Sequence, residues 1–121
     1  MKAIVIEYEP TILEMIRLIL KKIGYEVITA TNTKEATGAI DAHNDAEIVI
    51  IGRGKNHGDC GLIIARYVKG LPGQRKIIMI TGYPDDVFSA EATILGATVL
   101  VKPFSIDGLL RACGLVAATT K

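Results

Sequence analysis

The sequence predicts a three-layer α/β sandwich: a doubly wound (βα)5 chain whose helices cover both faces of a parallel five-stranded sheet. Three observations lead there. Short apolar runs alternate with longer stretches of helical periodicity along the whole chain. The runs at 48–51 (Ile-Val-Ile-Ile) and 77–80 (Ile-Ile-Met-Ile) are apolar at every position, as in strands covered on both sides. Gly24 and Gly96 close the first and fourth helical patterns.

Taken in order, residues 3–6 read as a buried strand. Pro10 then suits the first turn of a helix, where its missing N–H costs little. Ile12, Ile16, Ile19 and Ile23 recur at three- and four-residue spacing and mark that helix's buried face, while Glu14, Arg17, Lys21 and Lys22 lie mostly off it. Residues 26–30 read as the second strand. Asn32 or Thr33 caps a second helix to about residue 43, with Gly38 weakening its middle. After the third strand (48–51), a glycine-rich loop runs from Gly52 to Gly61 and a third helix from about Leu62 to Lys69. Leu71-Pro72-Gly73-Gln74 is a turn before the fourth strand. Pro84 to Leu95 reads as the fourth helix, 99–101 as the fifth strand, and Ser105 caps a last helix to about Ala117. With right-handed crossovers, this order fits a flavodoxin-like sheet of strand order 2-1-3-4-5. Its functional crevice lies at the carboxyl ends of the strands, which directs attention to residues 7–9, 52–59, 81–82 and 102–103.

Composition bounds the function. The 121 residues, half of them hydrophobic, make one folded domain (1–121) rather than a disordered chain. A net charge of +1 supplies no overall field for nucleic acid or an anionic membrane. No stretch approaches the roughly 18 apolar residues of a membrane span, and the apolar run at the N-terminus is too short for a signal sequence. Cys60 and Cys113 are too few for a disulfide framework and read as reduced thiols in a cytoplasmic protein.

Several motifs stand in one register. They are Ile23-Gly24-Tyr25-Glu26-Val27, Asp59 with Gly61-Leu62, Met79-Ile80-Thr81-Gly82, Gly96-Ala97, and Lys102-Pro103-Phe104. Together they resemble a CheY-like two-component response regulator receiver domain over nearly the whole chain. The resemblance implies a pocket of five positions: an acidic pair that helps bind Mg²⁺, an aspartate that takes phosphate from a histidine kinase, a Ser or Thr, a Lys, and an aromatic switch residue. The residues at those places are Glu7 and Tyr8 (with Glu9 next), Gly52, Thr81, Lys102 and Val99. One residue is missing between Gly96 and Lys102 relative to the family pattern, which bears on the Val99 alignment. The resemblance further implies a cis peptide before Pro103.

The departures carry the functional reading. Gly52 has no side chain to accept a phosphoryl group. With Tyr8 and Gly52 at carboxylate positions, Mg²⁺ binding is expected to be weak or absent, and no metal ligands are assigned. The expectation is a degenerate pseudo-receiver, not an enzyme, acting by phosphorylation-independent contact with a histidine kinase or other signalling protein. A homodimer through the fourth helix, fifth strand and fifth helix is a further expectation. Besides a plain solvated loop, two outcomes stay open for the new cations Arg53 and Lys55 beside Lys102. Arg53 or Lys102 turns inward to pair with Glu7 or Glu9, or the glycine-rich loop holds a small anion and the domain is an anion sensor. A receiver phosphorylated at an atypical acidic residue is the other alternative. Asp59 reads as a loop or helix-start carboxylate, Glu47 lies at the opposite end of the sheet, and Asp85 and Asp86 complement a helix dipole. His43 and His57 read as surface histidines, Cys60 as an inert thiol, Cys113 as a core residue of the last helix. Tyr8 is either a lid over the vacated site or an exposed side chain.

Overall fold

The computed structural model describes residues 1–54 and 60–115. Five strands and five helices alternate among them: β1 (Lys2–Ile6), α1 (Pro10–Lys22), β2 (Glu26–Ala30), α2 (Thr33–Ala42), β3 (Ile48–Gly52), α3 (Cys60–Lys69), β4 (Lys76–Thr81), α4 (Asp86–Ile94), β5 (Thr98–Val101) and α5 (Ile106–Ala112). All neighbouring strands are parallel and the order is β2-β1-β3-β4-β5. This is the flavodoxin-like sheet expected from the sequence.

Strand alternation divides the core in two. Ala3 and Val5 of β1, Ile48 and Ile50 of β3, and Ile78 and Ile80 of β4 pack with α1 and α5 through Ile16, Leu20 and Leu109. Their neighbours Ile4, Ile6, Val49, Ile51, Ile77 and Met79 face the other way, against Ala36 and Ile40 of α2, Ala65 and Val68 of α3, and Phe88 and Ala92 of α4. The three central strands are almost wholly buried, which is why their sequences carry no polar alternation. The edge strands β2 and β5 are covered only in part.

Helix ends follow local chemistry. Asn32, not Thr33, caps α2: its side chain accepts from Glu35 N at 2.8 Å. Gly38 lies on the exposed side of α2 and does not interrupt it. Gly24 and Gly96 take positive φ after α1 and α4 (104° and 73°), a conformation that glycine adopts without the Cβ penalty.

Several sequence expectations need correction. Ile23 is 44% exposed, because α1 has ended by then and Leu20 supplies the buried contact instead. Helix α3 begins earlier than expected, at Cys60. Helix α4 begins later, at Asp86, because Asp85 is its N-cap and accepts from Phe88 N at 2.9 Å. Helix α5 stops at Ala112, with Cys113, buried in the core as expected, as its C-cap. The expected extension to Ala117 runs into residues outside the described ones, as do Lys55, His57 and Asp59.

Candidate functional site

Four strand ends bring the candidate residues together. β1 delivers Glu7, β3 ends in Gly52 and Arg53, β4 ends in Thr81, and β5 runs into Lys102. Backbone hydrogen bonds hold them in register: Glu7 N to Ala30 O (3.1 Å), Arg53 N to Ile80 O (2.8 Å) and Lys102 N to Thr81 O (2.8 Å). Glu47 lies at the other pole, where its N–H donates to Lys2 O.

Glu7 is the unusual residue. Its side chain is fully buried, yet it is ionisable. Oε2 accepts from Glu9 N at 3.0 Å and lies 3.4 Å from Lys102 Nζ. Oε1 is buried without a hydrogen-bond partner. The room for this carboxylate comes from Gly52, since a Cβ there would lie 2.6 Å from Glu7 Oε1 and 3.1 Å from its Cδ. Gly61 makes a second close approach possible. A Cβ at 61 would lie 2.5 Å from Gly52 O, and the bare backbone instead donates its N–H to Arg53 O at 2.9 Å.

The two described cations of the crevice both turn inward, to different partners. Lys102 Nζ donates to Glu9 Oε1 at 2.5 Å and to Glu7 Oε2, and sits 5.6 Å from the centroid of the Tyr8 ring. Burial disfavours its charge, but the Glu9 hydrogen bond and the charges of Glu7 and Glu9 outweigh that, so its pKa is raised. Arg53 does not pair with Glu7 or Glu9. It lies 4.5 Å over the Phe88 ring, donates from Nη1 to Tyr83 O at 2.6 Å, and meets Asp85 Oδ2 at 2.8 Å. Asp85's pKa is lowered, first by the N–H of Phe88 and then by Arg53.

Thr81 is 2% exposed and its Oγ1 accepts from Tyr83 N at 3.0 Å. Val99 is half-buried against the core on the α2–α3–α4 side. The Lys102–Pro103 peptide is cis. Tyr8 is half-buried and separates two cavities that it lines jointly with Gly54. One of about 330 Å³ extends towards Asn32 and Cys60, and one of about 150 Å³ towards Thr81 and Lys102. Among the described residues no group of three His, Cys, Asp or Glu side chains converges as a metal site would require. Cys60 is an exposed thiol, and His43 is half-buried with Nδ1 3.4 Å from Lys2 Nζ.

Asp85, Tyr83 and Phe88, the partners of Arg53, were not legible as site residues. They lie more than 25 positions away, and nothing in the sequence says which way an arginine after β3 turns.

The sheet order, the crevice at the strand ends and the cis peptide agree with the resemblance drawn from the sequence. The model of the response regulator receiver domain matches residues 3–113. The chain belongs to that family.

Solved receiver structures agree with the assignment. A receiver domain from Clostridium thermocellum superposes with a TM-score of 0.82 at 30% identity, covering 93% of this chain and 90% of that one. The Vibrio cholerae chemotaxis protein CheY4 gives a TM-score of 0.75 at 24% identity, covering 96% and 98%. A Burkholderia pseudomallei response regulator, solved with a phosphorylated aspartic acid, a calcium ion and citrate, gives 0.82 at 24%, covering 93% of this chain and 65% of that one. No curated protein sequence matches the chain significantly. As a receiver domain of two-component signalling, the chain is a module whose family interacts with other signalling proteins. Among its described residues, no helix is long and apolar enough to cross a membrane.

Proposed function

We propose that this receiver is a pseudo-receiver that signals in the cytoplasm through protein contacts, without phosphorylation at the strand-end pocket. One observation carries the reading: Gly52 stands where the phospho-acceptor is expected, and the Glu7 carboxylate fills the space beside it, 2.6 Å from a Cβ at that position. No nucleophile is present there, and a side chain at 52 would require the Glu7 carboxylate to shift.

The donor set does not fit Mg²⁺. The ion prefers about six oxygen ligands in octahedral geometry. Glu7 and Glu9 are the two carboxylates that approach each other here, and an ammonium already bridges them. The unpartnered Glu7 Oε1 is a single buried oxygen, which is no substitute for a ligand shell. The anion-sensor reading has lost one of its two cations, because Arg53 is committed to Asp85 and Tyr83 O.

The contact surface would be the α4–β5–α5 face. Val87 and Ile94 of α4 are 72% and 81% exposed, Val101 at the end of β5 is 43% exposed and Ile106 at the start of α5 57%. Apolar side chains grouped this way on a folded domain suit a protein partner, either another signalling protein such as a histidine kinase or a second copy of the chain.

The test is an amide NMR titration with Mg²⁺ and then beryllium fluoride, a mimic of aspartyl phosphate. The expected result is no saturable shift at Glu7, Gly52, Thr81 or Lys102. Saturable shifts there would overturn the silent-pocket reading.

A further inference from the structure

A second concave site lies at the opposite pole of the sheet. It is bounded by the end of α3 (Val68, Lys69), the turn before β4 (Gly73, Gln74, Arg75), and the residues that follow α4 (Leu95, Gly96), and encloses about 280 Å³. None of these residues contributes to the strand-end crevice.

Its charge is one-sided. The two ionisable side chains that line it, Lys69 and Arg75, are both cations, and no carboxylate lines it. Lys69 has no ion-pair or hydrogen-bond partner among the described residues. Its Nζ lies 3.6 Å from where a Cβ on Gly96 would be, so it leans across the cavity towards α4. Arg75 is oriented from behind, because its Nη2 donates to Asn44 O at 2.6 Å. That single bond leaves most of the guanidinium fork unused. Nearby carboxylates are already engaged, Asp41 by the Tyr67 hydroxyl and Glu91 by Arg66. The back wall is apolar, with Val68 and Ile77 buried and Leu95 half-buried. A low-dielectric wall strengthens charge interactions at its surface.

We propose that this cavity binds a small dianion of the phosphate or dicarboxylate class, held between the Lys69 ammonium and the Arg75 guanidinium. A planar fork already anchored on one side loses little freedom when it pairs with an anion, and charge-assisted bonds of this kind are the strong ones. The proposal does not depend on whether the strand-end pocket is phosphorylated.

The test is an amide NMR titration of the whole chain with inorganic phosphate, pyrophosphate and succinate, at ionic strength fixed with sodium chloride. The expected result is saturable shifts at Lys69, Gly73, Gln74 and Gly96 with Kd below about 1 mM for at least one probe. Lys69→Ala and Arg75→Gln should each weaken that binding about tenfold, the scale of one charge-assisted hydrogen bond, with the amides of β1 and α5 unmoved. A response to phosphate and pyrophosphate alone assigns the phosphate class, and a response to succinate alone the dicarboxylate class. Shifts that do not saturate, that appear equally at Lys21 and Lys22, or that persist with unchanged Kd in Lys69→Ala would overturn the proposal.

Discussion

The Glu7 carboxylate and the bare backbone of Gly52 are complementary in shape, for a Cβ at 52 would stand 2.6 Å from Glu7 Oε1. Glu7 cannot move aside freely, because it is buried and held by Glu9 N and Lys102. Gly52→Ala should therefore destabilise the domain by about 1–3 kcal/mol, the range of overpacking in a filled site. In a Glu7→Ala background the added methyl loses its two closest contacts, leaving Ile6 O at an ordinary 3.4 Å, and its cost should vanish. Urea unfolding of the four proteins in this double-mutant cycle measures the coupling. Additive effects would show that the two positions do not share that space.

Lys102 is the cation that accompanies the buried Glu7 charge. Lys102→Met should destabilise by about 2–4 kcal/mol at neutral pH, because it leaves that charge unpaired. Adding Glu7→Met should recover much of the loss, since a buried ion pair is often replaced by apolar packing at little cost. The midpoint of urea unfolding for the single and double variants decides it. If the double variant is no more stable than Lys102→Met, the cost lies elsewhere than in the orphaned carboxylate.

The fold was readable because each level of the sequence agreed with the next. Apolar runs fixed β3 and β4, Gly24 and Gly96 fixed two helix ends, and Pro10 fixed a start. The errors fell at ends where several residues compete for the cap, such as Asp85 against Pro84, or where a helix stops before its apolar stripe does, as at Ile23. Within the site, the strand ends placed Glu7, Gly52, Thr81 and Lys102 together, since register alone decides that. Which cation met which acid was not legible. Lys102 and Arg53 are long side chains, and their directions depend on Tyr8 after β1 and on Asp85 and Phe88 at the start of α4, two segments far from them in sequence.

Arg53 ties the end of β3 to the start of α4, and Asp85 serves it as both partner and helix cap. Arg53→Leu should cost about 1–3 kcal/mol by leaving Tyr83 O without its donor and Phe88 without its cover. Asp85's folded pKa is lowered, so its contribution is present above the unfolded value of 3.8 and is lost as pH falls through the lower folded value. Asp85→Asn keeps a capping oxygen but cannot titrate. Its stability curve should be flatter than the wild type's below pH 4. Urea midpoints across the acid range test this, and an unchanged slope would remove Asp85 from the acid transition.

At alkaline pH the buried Cys113 is expected to begin the loss of stability. Burial pushes its thiol up to about 11 from an ordinary value of 9.0. An acid whose neutral form is favoured by folding stabilises the protein below its unfolded pKa and loses that contribution as pH rises towards the folded one. Stability should therefore fall between about pH 9 and 11, at no more than about 1.4 kcal/mol per pH unit from this group. Lys102, whose folded pKa is also raised, adds to the fall at the top of the same range. Cys113→Ala removes the thiol titration and should flatten the limb from pH 9 upward, leaving the Lys102 part. A wild-type slope in Cys113→Ala would place the alkaline loss on other groups, and Tyr25, whose pKa burial also raises, would be the next to replace.

The apolar α4–β5–α5 face gives a prediction that separates association from stability. Ile94 is 81% exposed and should contribute little to the fold. Ile94→Glu should leave the urea midpoint within about 0.5 kcal/mol of wild type, as surface changes do. If the face pairs two copies of the chain, the same change should shift a dimer to monomer in sedimentation equilibrium, because a buried carboxylate without a partner opposes the apolar contact. Val87→Glu, about two turns away on the same face of α4, should act alike, whereas Met15→Glu on α1 should not. A wild type that remains monomeric at every concentration would leave the face to a different protein. A dimer indifferent to both α4 changes would move the interface off this surface altogether.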